Sequence, residues 1–174
     1  MILKNNFPGR NNYLLAFAII LFAAGCKVYG FIDKGGIPAD VRTVKLSTVE
    51  KNSSLDNIQL RQRIGDRLRQ KIVGQTRLTQ TNSDSADWEI SLRLDQYSPS
   101  TSAISNQQTV TNRLTVGIHI TRNQRKNDDV KEYDVSRSFE FAANRSLQQA
   151  ENDLMDEMTR TLTDEIFNKL FSDW

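Results

Sequence analysis

An α+β fold, a two-layer sandwich with two helices packed on one face of a mixed four- to five-stranded sheet, follows from three features of the sequence. Apolar residues recur about every four positions in one early segment and again in the last one. Between these lie several segments in which apolar and polar residues alternate, as half-buried strands require. The order is therefore strand, helix, several strands, helix, and two amphipathic helices bury a one-sided sheet when both cover its apolar face.

The first strand is predicted over VRTVKLSTV, residues 41–49, by its alternation. The first helix follows. Ser53 with Asp56, or Ser54 alone, can satisfy its leading amides, and Leu60, Ile64, Leu68 and Ile72 form its apolar stripe, with an end near Gly74. Gly65 inside it costs about 1 kcal/mol relative to Ala, which points to close contact with a neighbouring element. TRLTQ is a short strand candidate. WEISLRLDQY, residues 88–97, puts Trp88, Ile90, Leu92 and Leu94 on one face, and NRLTVGIHITRN does the same with Leu114, Val116, Ile118 and Ile120. YDVSRSFEFA supplies the last strand through Val135, Phe139 and Phe141. SPSTSAISNQQT reads as a long polar connection and NQRKNDD as the turn of an antiparallel hairpin. Ser146 and Gln149 form a capping box for a long second helix with a stripe of Leu147, Leu154, Met158, Leu162, Ile166 and Leu170.

Ahead of this domain stands an address. Lys4 and Arg10 precede an apolar run over residues 14–24, and Ala23, Ala24 and Gly25 come immediately before Cys26, the only cysteine. The apolar run is shorter than the roughly 20 residues a spanning helix needs, and a lone cysteine closes no internal disulfide. The arrangement resembles the lipobox of bacterial lipoproteins, in which the chain is cut before the Cys and the thiol carries a diacylglycerol. Residues 1–25 are then a signal peptide, 26–40 a lipidated tether and 41–174 one folded domain. Two or three acyl chains at about 0.8 kcal/mol per buried CH₂ make release from a bilayer negligible.

Composition narrows the function. Lys4 and Arg10 leave with the signal, so the formal charge falls from +2 to zero, which removes most of the case for a nucleic-acid binder. Charge is nonetheless polarised: basic residues dominate residues 42–71 and acidic ones residues 151–174. No phosphate loop, nucleophile elbow or metal-ligand spacing appears. His119, the only histidine, points away from the apolar face of its strand. No catalytic residue, cofactor or metal ligand is assigned.

Binding is better supplied. Arg122, Arg125 and Lys126 cluster at the hairpin turn, where guanidinium forks and an ammonium suit phosphate oxygens; a solvated turn is the plainer reading. The basic helix, with Arg61, Arg63, Arg67, Arg69 and Lys71, either meets phosphates or answers Glu151, Asp153, Asp156 and Glu157 on the other helix. Phe167 and Phe171 lie off the Leu147 stripe and, with Trp174, either cap the core or form a contact patch on a partner.

These pieces, in order, resemble a known family. Cys26 followed by Val28-Tyr29-Gly30-Phe31, then Ile37-Pro38-Ala39-Asp40-Val41, then Asn112-Arg113-Leu114-Thr115-Val116, then Ile166-Phe167-Asn168-Lys169 and Trp174, are similar to the lipopolysaccharide-assembly lipoprotein family LptE in its Bacteroidetes form. The resemblance implies a non-enzymatic outer-membrane lipoprotein that plugs and helps assemble the β-barrel LptD, binds lipopolysaccharide and assists its insertion into the outer leaflet. The absence of an acidic run after Cys26 implies retention on the periplasmic side, and residues 84–86, DSA, resemble that phylum's O-glycosylation site at Ser85. The alternatives are a generic envelope lipoprotein that binds a glycan, an accessory subunit of another envelope transporter, and a lipid-modifying hydrolase.

Overall fold

Asn57 sets the first helix. Its side-chain oxygen accepts the Leu60 amide at 2.9 Å in the computed structural model, and the helix, α1, runs Ile58–Gln75. The structure describes residues 37–49, 57–105 and 108–172, with the side chains of 103–105 and 108–110 left out. The signal peptide, Cys26, the tether up to residue 36, the caps expected at Ser53, Ser54 and Asp56, and Trp174 all lie outside the described residues. Thr76 closes α1: its amide and hydroxyl both donate to the Ile72 carbonyl, at 2.9 and 2.7 Å.

The strands are β1 (Thr43–Val49), β2 (Thr79–Gln80), β3 (Trp88–Ser105), β4 (Gln108–Gln124) and β5 (Asp129–Ala142), and the second helix, α2, spans Leu147–Phe171. They form one five-stranded sheet in the order β2-β1-β3-β4-β5. β1 runs parallel to β2 and β3, while β3, β4 and β5 are antiparallel in turn. The sheet is mixed and open, and the architecture is α+β.

Both helices cover the same face. Leu92, Leu94 and Ile118 meet Arg61 and Ile64 of α1, and Trp88, which shares the face of Leu92, packs on Phe171 of α2 with ring centroids 6.0 Å apart. The predicted stripe Leu60, Ile64, Leu68 and Ile72 is buried throughout. Gly65 explains itself against β1: a Cβ there would stand 3.1 Å from the Thr48 methyl, so its absence lets α1 settle onto the strand. The two helices run parallel. Arg63 pairs with Asp156 and Lys71 with Asp164, a register that only a shared direction allows.

Two elements differ from the sequence reading. The polar connection expected after residue 97 is instead strand: β3 continues to Ser105 and β4 begins at Gln108, with Ser98 opposite Thr115 and Ser100 opposite Arg113. Beyond Tyr97 this ribbon loses the apolar-polar alternation that marks a strand lying on a core, so periodicity carries no signal there. The register shifts between Leu94 and Gln96, and this bulge carries the inward-facing series from Leu94 to Tyr97, which are both buried, while Asp95 and Gln96 face solvent.

The second difference concerns Phe167 and Phe171. They are 2% and 0% exposed, so in this domain they cap the core and do not form the solvent-facing contact patch. α2 is buried along two adjacent lines, the predicted one and a second through Met155, Thr159, Thr163, Phe167 and Phe171, because it touches both the sheet and α1. Ser146 and Gln149 form the expected capping box.

Candidate functional site

The β4–β5 turn is built by a short 3-10 segment, Arg125–Asn127, followed by Asp128 in the left-handed region at φ 50°, a conformation that Asp tolerates better than most residues. The turn leans on the neck of β3, where the Arg125 amide donates to the Asp87 carbonyl at 3.0 Å. Asp87 itself organises this end of the sheet. One carboxylate oxygen accepts the amides of Arg42 and Thr43 at 2.9 Å each and the Thr43 hydroxyl at 2.8 Å. The Arg42 amide, then the Thr43 hydroxyl and amide, hold the Asp87 carboxyl below its ordinary range.

The expected basic trio separates here. Arg122 is 3% exposed and lies on the helix side of β4. Its guanidinium sits over the Trp88 ring at 4.5 Å, with Tyr133 at 6.0 Å, and one nitrogen points at the Leu170 carbonyl at 3.4 Å. A cation stacked on an aromatic face and aimed at a helix C-terminus is electrostatically well placed, but it does not reach a phosphate in solvent. Arg122 is therefore a core residue and not part of a surface ligand site. The continued alternation of Leu114, Val116, Ile118 and Ile120 is the signal that identifies it.

Arg125 and Lys126 do reach solvent. Lys126 already has an anion, Asp40, at 2.8 Å, and the bond holds the Lys126 ammonium above its ordinary range and the Asp40 carboxyl below it. A phosphate arriving at this turn competes with Asp40 for Lys126 and meets Arg125 directly. Nearby, Lys45 reaches Asp84 at 2.6 Å and Glu89 at 3.4 Å. Ser85 is exposed beside Asp84 and shares a 2.7 Å hydrogen bond with Ser83.

The basic helix answers the acidic one only in part. Arg63 meets Asp156 at 2.9 Å, and Lys71 meets Asp164 at 2.6 Å while lying 4.8 Å above the Phe167 ring. Glu151 instead accepts the Tyr97 hydroxyl at 2.8 Å, and Tyr97 in turn accepts from Asn57 at 3.1 Å, which ties both helix starts to β3. Burial, then Glu151, pushes the Tyr97 phenol well above its ordinary range. Arg69 pairs within its own helix with Asp66, and Asp153 with Arg145. A groove of about 590 Å³ remains between the helices on their outer side, lined by Arg67, Asp153, Asp156, Glu157, Thr159 and Arg160.

The sheet face without helices carries a second arrangement that side-chain alternation alone does not reveal. Arg93 grips Asp95 across the bulge with two bonds, at 2.7 and 3.1 Å. His119 shares a 2.8 Å hydrogen bond with Asp134 and has Glu132 4.0 Å from its other nitrogen. Arg113 meets Glu140 and the Ser102 hydroxyl at 3.0 Å, and the Thr115 and Ser138 hydroxyls pair at 3.0 Å. Lys45 and Glu89 add a further pair at the β1 margin of this face. Among the described residues no group of His, Cys, Asp and Glu is arranged to hold a metal ion, and no helix is long and apolar enough to cross a membrane.

A model of the family described as LptE, lipopolysaccharide-assembly, matches residues 41–170, which is the whole sheet and nearly all of α2. No curated protein matches the chain. Among solved structures, rare lipoprotein B from Shewanella oneidensis is similar, with a TM-score of 0.51 at 13% identity over 74% of this chain and 93% of that one. A lipoprotein structure from Caulobacter crescentus has a TM-score of 0.46 at 10% identity over 72% and 86%. At 13% identity the likeness to the first of them concerns the fold alone.

Proposed function

Because the chain belongs to the LptE lipopolysaccharide-assembly family, we propose that it is an outer-membrane lipoprotein, anchored by acyl chains on Cys26, that plugs and helps assemble an LptD-type β-barrel and assists lipopolysaccharide insertion into the outer leaflet. The observation that carries this reading is the family match across residues 41–170, since it spans the folded domain and leaves only the signal, the tether and the last residues outside. The surface agrees with it. A helix-covered core and an open polar sheet face suit a domain enclosed by the polar interior of a large barrel. The role is one of binding and chaperoning and assigns no catalytic step to any side chain.

Within this reading Arg125 and Lys126 are the lipopolysaccharide contacts, reached by displacing Asp40 from Lys126, and Trp174 is the aromatic assigned to a partner contact. Depletion of the chain from growing cells tests the role. Surface lipopolysaccharide and correctly folded barrel should fall together, and replacing Cys26 with Ala should reproduce the loss while the soluble domain stays folded. Normal surface lipopolysaccharide after full depletion would refute the proposal.

A further inference from the structure

We propose that β5 is an acceptor edge for strand addition: an extended segment of a partner protein pairs with it as a sixth strand and sets Lys or Arg side chains opposite Glu132 and Asp134. Neither the plug reading nor lipopolysaccharide binding requires such a contact.

The two edges of the sheet end differently. β2 is two residues long, Thr79–Gln80, too short to template another strand. β5 has 14 residues and no proline, and it matches β4 residue for residue, from Thr111 opposite Ala142 to Gln124 opposite Asp129, without a bulge. The β3–β4 ladder, by contrast, shifts register three times. Alternate residues of an antiparallel strand turn their N–H and C=O groups away from the neighbour they pair with, so β5 presents a regular row of donors and acceptors on its outer side. Among the described residues its one backbone–backbone bond outside the ladder is at its end, where the Ala142 carbonyl accepts the Arg145 amide at 3.0 Å. Natural sheets blunt an open edge with proline, a bulge or a very short strand, and β5 has none of these.

Charge specifies the occupant. On its helix-free side β5 carries Glu132, Asp134 and Glu140 and no basic residue. Arg113 takes up Glu140, and Arg93 is held by two bonds to Asp95. Glu132 and Asp134 share only His119, which is charged only when protonated, and both are largely exposed. On the helix side Arg137 is held by Glu165, and Asp129 offsets Lys131 two positions away. The uncompensated charge at this edge is therefore negative and lies on the helix-free side. Opposite charges directly across a strand pair are favourable and like charges are not, so the added strand carries Lys or Arg there. A second copy of β5 supplies acids where cations are needed, and a phosphate is repelled. A row of backbone groups beside two carboxylates fits a basic extended peptide, with main-chain bonds giving affinity and alternate side chains giving specificity.

The test uses the full-length acylated protein in a non-ionic detergent and fluorescence anisotropy of labelled decapeptides. An alternating Lys–Val peptide should bind saturably, at least ten-fold tighter than an alternating Glu–Val peptide. The same Lys–Val sequence with every backbone amide N-methylated keeps its charge and loses its donors, and it should bind at least ten-fold more weakly. Glu132→Lys combined with Asp134→Lys should reverse the preference in favour of Glu–Val with an unchanged circular dichroism spectrum. Should that variant not fold, Glu132→Gln with Asp134→Asn reads the same contact and should weaken Lys–Val binding at least five-fold. No saturable binding of Lys–Val at millimolar concentration would overturn the proposal. So would equal binding of the methylated peptide, which would reduce the contact to charge attraction, or an unaltered preference in the substituted protein, which would place the peptide elsewhere.

Discussion

The two faces of the sheet are written by alternate residues of the same strands, and they solve opposite problems. On the covered face Trp88, Ile90 and Leu92 lie against Leu114, Val116, Ile118 and Ile120 and the helices, and water is excluded. On the other face Arg93, His119 and Asp134 stand in one cross-strand row, with His119 opposite Arg93 on one side and Asp134 on the other. Removing apolar area from water supplies stability on the first face, at roughly 25 cal/mol per Å². The second face adds little to stability, because exposed ion pairs contribute little. Residues whose loss unfolds the domain are thereby separated from residues whose loss leaves it folded.

Trp88 should show the largest effect on the covered side. Trp88→Ala empties the space between Phe171 and Arg122, and a destabilisation of about 3–5 kcal/mol is expected, read as a shift of the urea midpoint. Arg122→Ala should cost about 2 kcal/mol through its lost stacking on Trp88, an outcome that distinguishes a core cation from a ligand contact. Its complement is the double change Arg125→Ser and Lys126→Ser, which should leave the urea midpoint in place and lower lipopolysaccharide binding several-fold in vitro. If Arg122→Ala leaves stability intact and the double change does not alter binding, the division drawn at this hairpin is wrong.

Asp87 gives a pH-dependent case between the two. Its folded carboxyl lies below the unfolded value because backbone and hydroxyl donors favour the charged form. The contribution is therefore fully present above the unfolded value near pH 4 and is lost as pH falls through the lower folded value. Asp87→Asn should lower the thermal midpoint at pH 7, and the gap between mutant and wild type should narrow steadily below about pH 4. A gap that is constant from pH 7 to pH 3 would mean that the charge at Asp87 does not matter. The smallest effect belongs to the open face: Arg93→Ser together with Asp95→Ser should leave the thermal midpoint unchanged within error, since both side chains are solvent-exposed.

The covered face was legible in the sequence because its code is periodic. Leu60, Ile64, Leu68 and Ile72 repeat at helical spacing, and Leu114 to Ile120 alternate, so both elements and their inward sides could be read off directly. Arg122 continued that alternation, but a cation beside a turn resembles a ligand contact until Trp88 is known to lie beneath it. Phe167 and Phe171 fell outside a single apolar stripe, and only the packing of α2 against both α1 and the sheet makes a second buried line. The ribbon beyond Tyr97 has no alternating pattern to read. The open face was the least legible part, because pairs such as Arg93 with Asp95 and His119 with Asp134 depend on a bulge and on cross-strand register, which no single strand encodes.

A domain that works inside a barrel, as proposed above, stays bound to that barrel through purification. The most direct test is to purify the acylated chain from native membranes in mild detergent and identify what remains bound by mass spectrometry. A large outer-membrane β-barrel in one-to-one ratio that resists dissociation is the expected result. Recovery of the lipoprotein alone, or with an inner-membrane transporter, would contradict it.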